Sequence, residues 1–147
     1  MIKDDLKNWI FNTLSTPTAV FNNIPICPYA KQAWITNKVL VLDSFNNENL
    51  HNLLETYEVV IYALNPNQIT AEELYNLSIS LSDDKVVALD DHPSYKEQVE
   101  DVVLNNGKYA LILVQERFKL DQARKILQAK GYYKNWSPEY LKEVQEL

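Results

Sequence analysis

The fold class is decided by residues 57–73, YEVVIYALNPNQITAEE. The run at 57–64 is rich in β-branched and aromatic residues and ends at Asn65-Pro66-Asn67, so it predicts a strand followed by a turn. Thr70 and Glu73 have the spacing of a capping box, in which each side chain bonds the other residue's backbone N–H at the start of a helix. The stretch therefore predicts a strand, a turn and a helix, which is the repeating unit of an α/β protein.

Similar patterns extend along the chain. Three more strands are predicted from the apolar runs at residues 38–43, 85–90 and 109–115. Helices are predicted at residues 47–55, 70–81 and 120–130, the last one ended by Gly131. The order βαβαββα predicts a single α/β domain with about four strands in a mixed sheet covered by helices, as a thioredoxin-like fold or a ferredoxin-like sandwich with a displaced strand. The predicted core consists of apolar side chains on these strands: Val39, Leu40, Val41, Leu42, Val59, Val60, Ile61, Val86, Val87, Ala88, Leu111, Ile112, Leu113 and Val114.

The 147 residues are predicted to form one domain of residues 1–147, because this length is close to the commonest domain size. Residues 1–37 contain an amphipathic N-terminal helix at 2–14 and a long Pro- and Asn-rich loop without periodicity. Residues 38–130 form the sheet core, in which a partly helical connection precedes the turn Asn105-Asn106-Gly107. Residues 131–147 form an aromatic tail, and Ser137-Pro138 is a typical start for a last helix.

Charge and cysteine content restrict the environment and the partners. The net charge of −6 would repel a nucleic-acid backbone, so the sequence argues against a nucleic-acid partner. The single cysteine excludes an intramolecular disulfide and favours a reducing compartment. No signal peptide or membrane-spanning run is present, so a soluble, cytoplasmic protein without a membrane partner is predicted.

The string Ile26-Cys27-Pro28-Tyr29-Ala30-Lys31 is the most distinctive in the sequence. It resembles the Cys-Pro-Tyr-Cys site of glutaredoxins, in which a helix N-terminus stabilises the thiolate. Ala30 replaces the second cysteine, so the resemblance implies at most a monothiol, thioredoxin-like redox protein.

A second resemblance covers most of the chain. Small bacterial and marine phage proteins of unknown function have a Cys-Pro-Phe-Ala or Cys-Pro-Tyr-Ala motif near the N-terminus and an Asp-His-Pro element further on. The matching strings in this sequence are Pro25-Ile26-Cys27-Pro28-Tyr29-Ala30-Lys31 and Leu89-Asp90-Asp91-His92-Pro93. The resemblance implies a shared fold and a shared site but no activity.

The candidate site combines these two strings. His92 follows directly after a predicted strand, where open α/β sheets place their ligands. The leading hypothesis is an accessory domain that binds a small molecule or a protein with Cys27, Tyr29, Lys31, Asp90, Asp91 and His92. The main alternative is an enzyme with Cys27 as nucleophile, His92 as base and Asp91 or Asp90 orienting the imidazole.

A third hypothesis is an interaction or inhibitor protein that uses the aromatic tail, with Tyr132, Tyr133, Trp136 and Tyr140 in the interface. No metal site is predicted, because adjacent residues such as Asp90 and Asp91 point to opposite faces of an extended chain and His51 lies in a polar helix. No cofactor is predicted either, since two glycines are too few for a Gly-rich phosphate-binding loop.

Overall fold

A four-stranded mixed sheet forms the centre of the computed structural model, which describes residues 1–14, 17–18, 24–25, 30–94, 98–99, 102–103, 106–131, 134 and 138. Its strands are β1 (Val39–Leu42), β2 (Val59–Leu64), β3 (Val86–Asp91) and β4 (Ala110–Glu116). Their order in the sheet is β1-β2-β4-β3. β1 and β2 are parallel, and β4 is antiparallel to both of its neighbours, β2 and β3. The predicted α/β fold with a four-stranded mixed sheet is therefore confirmed.

Five α-helices accompany the sheet in the described part of the chain. They are α1 (Ile2–Trp9), α2 (Ala30–Ile35), α3 (Leu50–Thr56), α4 (Ala71–Leu81) and α5 (Arg117–Ala129). α1 continues as a π-helical turn over Ile10–Leu14. The predicted capping box is confirmed, because Glu73 N–H donates to Thr70 Oγ1 at 3.1 Å and Thr70 N–H donates to Glu73 Oε1 at 3.0 Å.

α5 corrects one predicted boundary and confirms another. It begins at Arg117, directly after β4, whereas the sequence predicted its start at 120. The Arg117 N–H donates to the Lys85 carbonyl at 2.8 Å, which ties the first residue of the helix to the start of β3. The helix ends before Gly131, whose φ of 81° is typical of a glycine C-terminal stop, as predicted.

The sheet is covered on both faces. On one face α3 and α4 pack against side chains such as Tyr62 and Ile112, and on the other α1 packs against Ile61 and Leu111, with Trp34 of α2 beside them. All fourteen predicted core residues lie on the four strands. Those of β1 are only half-buried, because β1 is at the edge of the sheet, whereas the central strands β2 and β4 are almost completely buried.

Two connections differ from their predictions. Pro17–Thr18 pairs antiparallel with Ile24–Pro25 in the segment predicted as a loop. Gln98–Val99 pairs antiparallel with Val102–Val103, so the described part of the connection predicted as partly helical is a strand pair. β-branched residues dominate that pair, which favours an extended backbone. The last helix predicted from Ser137 falls outside the described residues except for Pro138, which is helical.

Strand direction determines where the site lies. β1, β2 and β3 end at the same edge of the sheet, and β4 begins there, since Leu64 is opposite Ala110 and Asp91 is opposite Leu111. We call this the strand-end edge. Ligands of open α/β sheets bind outside the carboxyl ends of the parallel strands, so this is the edge at which a site is expected.

Candidate functional site

His92 is buried at the strand-end edge, with 7% of its surface exposed. Its Nδ1 accepts the Ser94 N–H at 3.1 Å, and Nε2 lies 2.7 Å from the Ile69 carbonyl oxygen. A nitrogen that accepts from a backbone N–H cannot carry the hydrogen, so the neutral ring is the tautomer in which Nε2 donates to Ile69. The Ser94 hydroxyl is also within 2.8 Å of Nδ1. Both ring nitrogens are therefore engaged, and the imidazole joins the end of β3 to the loop after β2.

Asp91 precedes His92 and is also buried, with 6% exposed. Its Oδ2 accepts two hydrogen bonds from Asn106, from the backbone N–H at 3.1 Å and from the side-chain Nδ2 at 2.8 Å. Its Oδ1 is buried without a hydrogen-bond partner in the structure. Burial raises the pKa of Asp91, and the two bonds from Asn106 act in the opposite direction.

Asn106 organises the turn that leads into β4. Its Oδ1 accepts the N–H of Lys108 at 2.9 Å and that of Tyr109 at 2.7 Å, while its Nδ2 also donates to the Tyr109 carbonyl at 3.1 Å. Gly107 occupies the left-handed region at φ 75°, where a side chain would be strained. The Asn-Gly pair predicted as a turn thus forms a side-chain-capped turn that is anchored on Asp91.

This turn presents Lys108 and Tyr109 to Asp5 of α1. The Lys108 Nζ lies 2.8 Å from Asp5 Oδ2, and the Tyr109 hydroxyl donates a short hydrogen bond to the same oxygen. The Lys108 ammonium, with the Tyr109 hydroxyl, holds the pKa of Asp5 below its ordinary value. The same contact raises the pKa of Lys108 and that of Tyr109. Two segments about a hundred residues apart in the sequence therefore meet in one polar cluster.

An open cleft of about 370 Å³ lies beside this cluster, and we call it the strand-end cleft. It is lined by residues of α1 and its π-helical turn and by the turn before β4: Asp5, Leu6, Asn8, Trp9, Asn12, Thr13, Asn106, Lys108 and Tyr109. Among these described residues, the carboxylate of Asp5 and the ammonium of Lys108 are bonded to each other, and the other side chains are neutral. The lining therefore combines paired charges with amide, hydroxyl and indole groups.

The structure brings together only some of the predicted site residues. Asp91 and His92 are neighbours at the strand-end edge, and Asp90 beside them is half-buried and has interactions of its own. Lys31 lies on α2, where its ammonium is 5.3 Å from the centre of the Phe11 ring. Cys27 and Tyr29 fall outside the described residues, so the proximity of the thiol to His92 stays a prediction.

Nothing in the sequence pointed to the cluster around Asp5. The Asn106-Gly107 turn was visible in the sequence, but nothing in the N-terminal helix distinguished Asp5 from the other polar residues of its exposed face. Only the packing of α1 on β2 and β4 brings Asp5 to this turn.

Three further predictions concern the aromatic tail, metal binding and membrane insertion. In the aromatic tail, Tyr132, Tyr133, Trp136 and Tyr140 are all outside the described residues. Within the described part of the chain, no group of three or more His, Cys, Asp or Glu side chains could hold a metal ion. None of the helices described has both the length and the apolar character needed to cross a membrane.

Comparisons with protein-family models, with curated proteins and with solved structures returned no match to the chain. The two resemblances drawn from the motifs around Cys27 and His92 therefore stay predictions.

Proposed function

We propose that this chain is an accessory domain that binds a small, neutral, polar molecule in the strand-end cleft. The observation that carries the proposal is the convergence of Lys108 and Tyr109 on one oxygen of Asp5 beside an open cleft. Polar groups held in place by one another lose little conformational freedom when a ligand binds, and such preorganisation favours affinity.

The class of ligand follows from the lining. Asp5 and Lys108 neutralise each other, so neither an anion nor a cation gains a free counter-charge in the cleft. The side-chain amides of Asn8 and Asn12 and the hydroxyl of Thr13 carry both donors and acceptors, which suits a molecule with several hydroxyl or amide groups. The half-buried indole of Trp9 supplies a flat apolar surface for one face of such a molecule.

Hydrogen bonding within the site favours binding over acid–base catalysis. Both nitrogens of His92 are engaged with Ile69 and Ser94, so the imidazole would have to break a bond before it accepted a proton from a thiol. Tyr109 donates to Asp5, and this bond raises its pKa, so its hydroxyl stays protonated near neutral pH. The imidazole of His92 and the phenol of Tyr109 are therefore both engaged in hydrogen bonds, and neither is a ready base.

The test is a binding screen of the purified chain against neutral sugars, nucleosides and small amides by ligand-observed NMR, followed by titration. Tyr109→Phe should weaken the tightest binder about tenfold, because it removes the bond that orients Asp5. Tyr75→Phe is the matched control, since Tyr75 is an exposed tyrosine of α4 outside the cleft lining. Equal weakening by both variants, or no binder in the screen, would contradict the proposal.

A further variant separates binding from thiol chemistry. Cys27→Ser should retain the affinity for the ligand, because none of the described residues that line the cleft is a cysteine. The nucleophile hypothesis predicts instead that native Cys27 is alkylated quickly near neutral pH and that His92→Ala slows the alkylation. Loss of binding in Cys27→Ser together with such reactivity would favour the enzyme over the binding domain.

A further inference from the structure

We propose that Asp91 and Asn106 are positioning residues of the strand-end cleft: Asp91 holds Asn106 in place, and Asn106 holds the turn that presents Lys108 and Tyr109 to Asp5. The predicted effect on ligand affinity rests on the proposed function. The arrangement of Lys108 and Tyr109 can be tested without any ligand.

Asp91 anchors Asn106 at the end of β3. Asp91 is buried at the end of β3, and strand pairing opposite Leu111 fixes its backbone. Two donors of one residue, the N–H and the Nδ2 of Asn106, bond the same oxygen, so the backbone and the side chain of Asn106 are both fixed. Hydrogen bonds to a charged acceptor are about twice as strong as neutral ones, and a buried carboxylate has few alternative partners.

Asn106 in its turn fixes the backbone that leads into β4. Oδ1 of Asn106 accepts the N–H groups of Lys108 and Tyr109, and these two residues carry the side chains that bind Asp5. The three bonds within the turn, including Nδ2 to the Tyr109 carbonyl, set the direction in which both side chains leave the backbone. Without Asn106, the positive φ of Gly107 would have no side-chain cap, and the turn could adopt other conformations.

Asp91 acts through one oxygen only. Its Oδ1 has no partner, so the positioning role depends on Oδ2 and not on both oxygens. An asparagine at position 91 would retain an acceptor oxygen for both bonds of Asn106, whereas an alanine would leave the Asn106 N–H without this partner and the Nδ2 with the Tyr109 carbonyl alone. Asp91→Asn is therefore the conservative variant and Asp91→Ala the disruptive one.

The experiment follows the ionisation of Tyr109 and Asp5 by carbon-13 NMR in folded protein, with Tyr109→Phe and Asp5→Asn used for assignment. The native protein should show a Tyr109 pKa above, and an Asp5 pKa below, their ordinary values. Asn106→Ala and Asp91→Ala should return both pKa values towards the ordinary ones, and Asp91→Asn should retain the native values. Both disruptive variants should also weaken the ligand found in the screen about tenfold.

Asn65→Ala is the matched control. Asn65 caps a turn at the same edge, where its Oδ1 accepts the Asn67 N–H at 2.9 Å, and it is not among the residues that line the cleft. It should leave the Tyr109 and Asp5 pKa values unchanged. If Asn106→Ala does not fold, Asn106→Asp replaces it, because it retains the turn oxygen but places a second carboxylate against Asp91.

The outcomes separate the two proposals. Native pKa values of Tyr109 and Asp5 in folded Asn106→Ala or Asn106→Asp would overturn the positioning role. Altered pKa values in a protein that binds nothing in the screen would support the positioning role and contradict the proposed function.

Discussion

Two clefts of nearly equal volume lie at opposite ends of strands β3 and β4. The strand-end cleft measures about 370 Å³, and a second cleft of about 380 Å³ lies where β3 begins and β4 ends. We call the second one the strand-start cleft. It is lined by His51, Leu54, Glu55, Asp84, Lys85, Val86, Glu116 and Phe118.

Side-chain hydrogen bonds fix the backbone beside both clefts. At the strand-start cleft, Asp83 Oδ1 accepts the N–H groups of Lys85 and Val86 at 2.8 and 2.7 Å, much as Asn106 caps the turn before β4. The difference lies in the side chains that face each cleft. The strand-start cleft has three carboxylates and one lysine in its lining, and Glu116 reaches Lys119 only at 3.9 Å.

This difference shows that cleft volume is a poor guide to a binding site. In the strand-end cleft, side chains from segments distant in the sequence bond one another and are fixed before any ligand arrives. In the strand-start cleft, Glu116 meets only a lysine three residues along the chain, Lys119, at 3.9 Å. Lys108 is equally open to screening by solvent and salt, so the contrast lies in the bonds that Lys108 and Tyr109 share to one oxygen of Asp5. Preorganised polar groups are the reason for assigning the ligand to the strand-end cleft.

The largest effect is expected from truncating one buried leucine under each cleft. Leu6 of α1 is 0% exposed, and Leu54 of α3 is 2% exposed. Leu6→Ala and Leu54→Ala should each lower the free energy of unfolding by about 2–5 kcal/mol, because the rigid sheet cannot close the cavity. Urea denaturation measures this loss. Only Leu6→Ala should also shift the Tyr109 pKa, since α1 carries Asp5, and an equal shift in Leu54→Ala would contradict the comparison.

A smaller effect on the free energy of unfolding is expected from a change of pH. Its sign is opposite for Asp91, near the strand-end cleft, and Asp83, near the strand-start cleft. Burial raises the pKa of Asp91, so its contribution to the free energy of unfolding is present below the ordinary Asp pKa and is lost as the pH rises through the folded-state pKa. Hydrogen bonds from Lys85 and Val86 lower the pKa of Asp83, so its contribution is present above the ordinary pKa and is lost as the pH falls.

Asp91→Asn and Asp83→Asn test this sign difference by urea denaturation at several pH values between about 3 and 7. Relative to the native protein, Asp91→Asn should gain stability as the pH rises, and Asp83→Asn should lose it. Asp91→Ala should cost about 1–3 kcal/mol, because it removes the acceptor of two partly buried hydrogen bonds from Asn106. If the free energies of unfolding of the two asparagine variants changed with pH in the same direction relative to the native protein, the predicted difference between Asp91 and Asp83 would be refuted.

The sheet was predictable from sequence because its signals are local. The apolar runs of β2 and β4 are continuous, as expected for central strands covered on both faces, and the capping box at Thr70 needs only four residues. Strand order was not predictable, because it depends on which strands pair across long connections. The strand pair at 98–99 and 102–103 was missed because two-residue strands carry too little periodicity.

The site was predictable only in part for the same reason. Asp91 and His92 were identified because the polar run that ends a strand is visible in the sequence. The burial of His92 was not, since Ile69 and Ser94 approach it only in the folded chain. Asp5 was missed because its partners, Lys108 and Tyr109, are about a hundred residues away. Tertiary packing, and not local pattern, creates that contact.

The smallest effect is expected from the aromatic residue of the strand-start cleft. Phe118 is 70% exposed, so Phe118→Ser removes little buried surface and should change the free energy of unfolding by no more than about 0.5 kcal/mol. Trp9→Ser is the counterpart in the strand-end cleft and should cost clearly more, because Trp9 packs against the core cluster that contains Leu6 and Ile61. Thermal unfolding of both variants measures the contrast. A loss in Phe118→Ser as large as that in Trp9→Ser would mean that the aromatic residues of the two clefts are packed equally firmly, and the difference between the clefts would then be confined to their polar groups.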